Sequence, residues 1–344
     1  MSTNEADGTV PAEVRAFLVD HGLAGPGTEQ VWQPLTGGVS SALWRVDLGE
    51  RTICVKGALE KLRVAGDWHA PVTRNAVEWD WLSFASAVAP GQVPLPLAHD
   101  PGRGLFAMSY LPVEQYPVWK ARLLDGDVRV TDAAALGTLI GQLHAASTRD
   151  AGLPSRFATD DNFRQLRVDP YFLAVARRHP GLKDRIDRIV RTTTGTRTAL
   201  VHGDVSPKNV LQGPSGPVLL DAECAWYGDP AFDVAFALTH LLLKTAVLPG
   251  HADALTASAL ALADAYRAET AWENPADLLA RAAHLLPALL LARVDGLSPV
   301  EYLDEHTGSL VRAVAQDLLR AADADLRSVV TAAARRLAAP PRSR

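Results

Sequence analysis

The stretch L-V-H-G-D-V-S-P-K-N-V-L-Q-G-P-S-G-P-V-L-L-D, Leu200 to Asp221, decides the reading of this chain. Val210–Gln212 reads as a short strand, Gly213–Gly216 as its turn and Pro217–Leu220 as the returning strand. Asn209 and Asp221 flank this hairpin, so it brings them together at its base. Asp204 lies just upstream, after the apolar run Ala199–Val201. An amide oxygen and a carboxylate at one spot suit a hard cation such as Mg²⁺, which prefers oxygen ligands. Asp204, set back from both, is placed to accept a proton. Singly, each is an ordinary turn or strand-end residue. The three at this spacing point to chemistry.

H-G-D-x-x-x-x-N followed by an Asp at the end of a hairpin resembles the catalytic core of the aminoglycoside phosphotransferase and choline kinase superfamily. Those enzymes are similar to protein kinases, whose catalytic loop reads H-R-D-x-x-x-x-N. The resemblance implies a catalytic base at Asp204, Mg²⁺ ligands at Asn209 and Asp221, and ATP or GTP as phosphate donor. The segment G-D-P-A-F-D-V-A, Gly228 to Ala235, fits the Gly-Asp-Pro step the family often carries next. Asp229 and Asp233 there read as structural, capping or pinning the chain after the metal site. Glu223 reads either as an aid to the metal shell or acceptor site, or as a structural carboxylate. Lys208 reads either as a contact to transferred phosphate or as an exposed lysine.

Hydrophobic residues make up 48% of the 344 and charged residues 21%, which suits one large domain or two lobes. The net charge of −5 gives no basic footprint for nucleic acid. It leaves room for an anionic nucleotide, because phosphates are bound locally. Cys54 and Cys224 lack metal-ligand spacing and read as buried thiols. The opening M-S-T-N-E-A-D-G is unlike a signal peptide, and the apolar stretch Leu285–Ala292 reads as too short to span a bilayer. The expectation is a cytoplasmic monomer or homodimer with no nucleic-acid or membrane partner.

A short helix is predicted at Pro11–His21, then strands at Val31–Pro34, Leu43–Leu48 and Arg51–Lys56. T-G-G-V-S-S, Thr36 to Ser41, precedes the second strand, and Gly37, Gly38 and Ser40 are candidates for a phosphate flap. Lys56 closes an apolar strand and is the candidate to hold the α- and β-phosphates. Glu78 is its candidate partner, on a helix predicted from Val72 to Val88 with Val77, Trp81, Leu82 and Ala85 on its buried face. The run K-G-A-L-E-K-L-R-V-A-G-D-W-H-A-P-V-T-R-N-A-V-E-W, from Lys56, resembles methylthioribose kinases and their relatives. Gly104–Leu111 reads as the last strand of a small lobe. Met108, Ser109 and Leu111 then face the purine, and the lobe boundary falls near Pro112, giving lobes 1–111 and 112–344.

The remainder reads as mostly helical. Thr131 is expected to cap a helix whose stripe is Leu136, Leu139, Ile140 and Leu143, with His144 as a hydrogen-bonded core residue. Further helices are expected at Asp233–Lys244, Asp253–Arg267, Pro275–Val294 and Val311–Leu337. The acceptor candidates are Arg293 and Asp295, in L-A-R-V-D-G-L-S-P-V-E-Y-L, with Trp119, Lys120 and Asp160–Phe163 besides. Related methylthioribose kinases carry an Arg-rich, Gly-containing helix end there, and Arg293 is carried over on that resemblance.

The expected fold is α+β and bilobal, protein-kinase-like, with a small antiparallel sheet plus helix and a large, mainly helical lobe. The expected activity is Mg²⁺-dependent transfer of a γ-phosphate to a hydroxyl of a sugar-containing metabolite or antibiotic, of aminoglycoside or ribose-bearing nucleoside type. Antibiotic resistance and a methylthioribose-like metabolic role are both open. A silent nucleotide-binding module ranks lower, since base, metal ligands and lysine are all present. A protein kinase is disfavoured by the absence of D-F-G and A-P-E.

Overall fold

The computed structural model describes residues 10–35, 41–58, 74–321 and 325–339. The flap candidates Gly37, Gly38 and Ser40, and residues 59–73 of the Trp-containing run, lie outside the described residues.

The first helix, α1 (Ala12–Asp20), precedes β1 (Val31–Pro34), β2 (Ser41–Asp47) and β3 (Thr52–Ala58). Then come α2 (Arg74–Val88), β4 (Pro96–Asp100) and β5 (Leu105–Ser109). The five strands form one antiparallel sheet in the order β1-β2-β3-β5-β4. Alternation along the strands sorts side chains between two faces. Val46, Ile53, Val55, Leu105 and Ala107 pack with Val14, Phe17 and Leu18 of α1 in a small core. Lys56 and its cross-strand partner Phe106 take the opposite parity. Phe106 joins the larger core, as do Trp81, Leu82 and Ala85 of α2. The helix that carries Glu78 is thus anchored in the larger core and not in the core beneath the sheet.

The second lobe holds α3 (Trp119–Leu124), α4 (Val130–Ser147), α5 (Leu153–Arg156) and α6 (Asp160–Phe163). A π-helical segment, Arg164–Leu173, leads into α7 (Ala174–Arg178) and α8 (Lys183–Gly195). Four short strands follow: β6 (Ala199–Val201), which pairs with β9 (Trp226–Gly228), and the hairpin of β7 (Val210–Gly213) and β8 (Gly216–Leu219). The chain ends in α9 (Ala231–Val247), α10 (Ala252–Glu269), α11 (Pro275–Asp295), α12 (Glu305–Arg320) and α13 (Leu326–Leu337). The α+β bilobal arrangement is the expected one. Cys54 and Cys224 are buried free thiols, and burial pushes Cys54 up to about 12.

Three local expectations change. Thr131 does not cap α4, because the helix has begun at Val130 and Arg129 precedes it without a side-chain cap bond. The long helix expected over Val311–Leu337 is two helices. Asp304 accepts from Thr307 N–H and starts α12 early, and Asp325 accepts from Ser328 N–H and starts α13 anew. The run Leu285–Ala292 is part of the 21-residue α11, which Asn274 caps. By length and composition that helix is long and apolar enough to cross a membrane, and here it lies largely buried in the large core. Strand β4, helix α8 and the π-helical segment had no predicted counterpart.

Helices α4 and α10 approach closely at Gly137 and Gly141. A Cβ on Gly137 would stand 2.2 Å from the Leu262 carbonyl oxygen, and one on Gly141 2.6 Å from Cβ of Glu269. Gly137→Ala is therefore expected to destabilise the protein by about 1–3 kcal/mol, the usual range for an overpacked core. Gly195→Ala, with nothing within 4 Å of the added atom, serves as the control. Equal urea midpoints for the two variants would contradict this packing.

Candidate active site

The site is built around a buried carboxylate. Asp233, on α9 and fully buried, accepts from His202 N–H at 2.7 Å and from Gly203 N–H at 2.8 Å. Its Oδ2 also meets His144 Nε2 at 3.2 Å, and His144 Nδ1 meets Tyr266 Oη at 2.9 Å. His144 is the core residue expected, and Asp233 pins the loop. Gly203 has φ of +79°, and an added Cβ would lie 2.7 Å from the Cys224 carbonyl oxygen, so only glycine fits. His202 Nδ1 accepts from Asp204 N–H at 3.1 Å, which leaves Nε2 to donate to the Leu220 carbonyl at 3.1 Å. Burial holds this imidazole below its ordinary pKa, in keeping with that neutral tautomer. Its ring meets Trp81 of α2 edge-on, 4.8 Å between centroids.

Asp204 faces two cations. Arg167 reaches Oδ2 at 3.0 Å and Lys208 reaches it at 3.3 Å. Burial opposes the charge on Asp204, but Lys208 and Arg167 outweigh it and hold the carboxyl below the usual range. Arg167 also donates to the carbonyls of Gly203 (2.6 Å) and Leu166 (2.7 Å), so it fixes the loop as well as the carboxylate. Sequence reading missed Arg167. It belongs to no motif, and it reaches the loop from the π-helical segment, a geometry that recurs at functional sites. Pro170 within that segment has no N–H to donate, which removes one helical bond.

At the base of the hairpin Leu220 N–H bonds the Asn209 carbonyl at 2.9 Å, so Asn209 lies opposite the residue before Asp221. Asp221 has φ of +66°. For a non-glycine residue this left-handed backbone costs on the order of 1 kcal/mol. Its Oδ1 lies 2.6 Å from Lys56 Nζ, and Glu78 Oε2 lies 2.6 Å from the same nitrogen. One lysine thus serves two carboxylates. Burial works against its charge, yet Asp221 and Glu78 raise its pKa and keep it protonated. Asp221 lies below the usual carboxylate range, since Lys56 and Lys208 overcome the effect of burial. Burial pushes Glu78 up to about 7, with Lys56 pulling the other way and Asp221 adding to the rise.

The donor set suits Mg²⁺. The Asn209 amide nitrogen donates to the Asp204 carbonyl at 3.2 Å, which directs the amide oxygen elsewhere, and Asp221 keeps a second oxygen beyond its Lys56 bond. Among the described residues no three His, Cys, Asp or Glu side chains gather as a metal cage. Two protein oxygens completed by phosphate and water oxygens are the common arrangement for this ion.

The other candidates are spread more widely. Met108 is half-buried and packs on the larger core. Ser109 is tied to Leu95 by its N–H and its hydroxyl, both at 2.9 Å, so of the pair only Leu111 lies past the strand pairing. Glu223 lies 3.2 Å from Arg74 Nε on α2, and its carbonyl accepts from Asn162 of the D-D-N-F segment at 2.6 Å. Asp160 of that segment pairs with Arg197. Arg293 donates to Tyr171 Oη at 2.9 Å and to Ser298. Asp295 is not brought to Asp204. Its two oxygens are engaged by Arg178, His179 and Arg312, which makes it a fastening between α7, α11 and α12. Asp229 is also a fastening, to Arg281.

Residues 31–272, more than half of the chain, match the family model described as "APH: Phosphotransferase enzyme family". The chain belongs to this phosphotransferase family. A methylthioribose kinase of Bacillus cereus is 23% identical over 255 residues, 66% of this chain and 64% of that protein. The chain therefore spans less than two thirds of that relative's length. Among solved structures, an amicoumacin kinase in complex with AMP-PNP, Ca²⁺ and Ami is similar with a TM-score of 0.55 at 14% identity, over 91% of this chain and 97% of that one. An aminoglycoside phosphotransferase from Alicyclobacillus acidocaldarius gives 0.51 at 14% identity, over 96% and 97%. These similarities establish the protein-kinase-like fold.

The shared lysine predicts a pH effect on stability. Glu78 in the folded chain holds its proton more tightly than the ordinary value of 4.5. Its contribution is present in full below that pH and is lost as pH rises through about 7. Glu78→Gln has no such titration, while Lys56 stays charged throughout. Wild type is expected to lose stability relative to Glu78→Gln across this window, read from urea midpoints. A difference that does not change with pH would mean that Lys56 keeps Glu78 ionised throughout.

Proposed function

We propose that this chain is a small-molecule kinase of the cytosol, transferring the γ-phosphoryl group of ATP or GTP to a hydroxyl of a sugar-containing metabolite or antibiotic. The observation that carries the reading is the convergence of Asp204, Asn209 and Asp221 beside a lysine fixed by Glu78. Phosphoryl transfer asks mainly for positioning and charge neutralisation, and this set of side chains supplies both. Lys56 orients the donor phosphates. Asn209 and Asp221 would hold Mg²⁺, and the chemistry it would supply is neutralisation of phosphate charge. Asp204 accepts a hydrogen bond from the acceptor hydroxyl and takes its proton. Arg167 and Lys208 make Asp204 a weak base, which suits a loose transition state in which the proton leaves late.

Family membership supports the transfer reading in its general form. The similarity to methylthioribose kinase supports a sugar hydroxyl as acceptor. The test is release of nucleoside diphosphate with Mg²⁺ and ATP or GTP, over a panel of methylthioribose, aminoglycosides and ribose-bearing nucleosides. Asp204→Ala is expected to lower acceptor-dependent release by about 10²–10⁴-fold, the usual weight of a positioned base, with nucleotide affinity retained. Full activity in that variant would remove Asp204 from the chemistry.

A further inference from the structure

The chain of contacts that leads from Asp204 along α9 gathers several basic side chains and few carboxylates. Arg167, which grips Asp204, has its guanidinium 5.5 Å from the Tyr171 ring centre and 5.6 Å from that of Phe236. Tyr171 Oη is bonded by Arg293, and the Phe236 ring meets that of His240 at 5.1 Å. One turn further along α9, Lys244 Nζ lies 5.1 Å from the Tyr302 ring centre. Lys120 of α3 lies 5.7 Å from the same ring and pairs with Glu301. Four parts of the chain thus converge: α3, α9, the end of α11 and the loop that follows it.

Among the described residues neither Lys244 nor Arg293 is paired with a carboxylate. Lys244 is fully buried and reaches only the His240 carbonyl, at 3.4 Å. Arg293 is also buried and bonds neutral oxygens of Tyr171 and Ser298. Burial, with Lys120 adding to it, pushes Lys244 down to about 7. His240 Nε2, Arg293 Nε and Tyr302 Oη are buried without a hydrogen-bond partner. A buried amine that burial leaves only partly charged and a buried guanidinium, neither with a carboxylate within ion-pair distance, beside polar atoms with no partner, are costly for a fold to keep. A ligand that brings the missing charge explains both.

We propose that the acceptor carries an oxyanion, a carboxylate or a phosphate, besides the hydroxyl it offers to Asp204, and that Lys120, Lys244 and Arg293 receive it. This rests on the transfer reading above and narrows its substrate. Glu301 is largely exposed and holds Lys120 as a stand-in that the incoming anion displaces. The same cations repel a polyamine, so they select against an aminoglycoside while they select for an acid.

The test is calorimetric titration of the full chain, with ADP and Mg²⁺ present, using four probes. Glucuronate and ribose 5-phosphate are compared with glucose and ribose. At least one anionic probe is expected to bind about tenfold or more tightly than its neutral counterpart, and the stronger of the two anions identifies the headgroup. That advantage should disappear in Lys244→Met and in Arg293→Met. Lys244→Met should unfold at the same or a higher temperature than wild type, because it removes a buried amine that has no carboxylate within ion-pair distance. Equal affinities within each pair, no binding of either anion, or a lowered melting temperature in Lys244→Met would each overturn the proposal. Failure of the transfer reading is distinct: no diphosphate release with any acceptor, while the anions still bind, removes the kinase and leaves the anion site. Release with methylthioribose without anion binding does the reverse.

Discussion

The Asp233 carboxylate is the constraint from which the rest of the site follows. A charge with no exposure must be met by donors. Here the donors are two consecutive backbone N–H groups of the loop and the ring of His144. The loop has to run through Gly203 with positive φ to present both amides, and that bend carries Asp204 to Arg167 and Lys208. His144 carries the network on to Tyr266, so α4, α9 and α10 are registered against the loop by one chain of hydrogen bonds. The close contact of α4 and α10 at Gly137 belongs to the same arrangement. It is what lets His144 on one helix reach Tyr266 on the other.

Charge is shared unequally among the three carboxylates near the donor site. Asp204 has two cations within ion-pair distance, Arg167 and Lys208, whereas Lys56 is divided between Glu78 and Asp221. Asp204 and Asp221 are therefore held ionised. The deeper Glu78 is the one whose proton affinity rises. Proton affinity thus falls on the group that orients the lysine and is kept low where a metal or a hydroxyl would bind. A single lysine between two carboxylates also means that binding a cation at Asp221 frees Lys56 for phosphate.

Much of this was legible in the sequence because it is local. The hairpin between Asn209 and Asp221 is fixed by Gly213 and Gly216 and by the flanking apolar runs, and Glu78 falls on a helix with a clear apolar period. What was not legible is long-range. Arg167 lies far upstream of Asp204, on a helical segment whose wide turn leaves no mark in the composition. The break between α12 and α13 depends on one Asp side chain turning back on its own backbone. Asp295, read as an acceptor residue from the break in an apolar helix, is spent on Arg178, His179 and Arg312, and a single chain gives no sign of those partners. The net charge of −5 likewise hides a local excess of cations, because composition averages over a surface that the fold divides.

The two hydrophobic cores show why the Lys56 side of the site lies where it does. The sheet rests on α1 in one core, while α2 sends Trp81, Leu82 and Ala85 into the other. Lys56 comes from the sheet, Glu78 from α2 and Asp221 from the hairpin of the second lobe. The bond between Lys56 and Glu78 is therefore the point where independently packed cores meet. The Trp81 contact to His202 ties Glu78 to the catalytic loop without involving the sheet at all. A change that loosens the sheet on α1 would move Lys56 while leaving Glu78, Asp204 and Asp221 in mutual register. Lys56, proposed to hold phosphate, is in this sense the adjustable member of the set, and the groups proposed to handle metal and hydroxyl are the fixed ones.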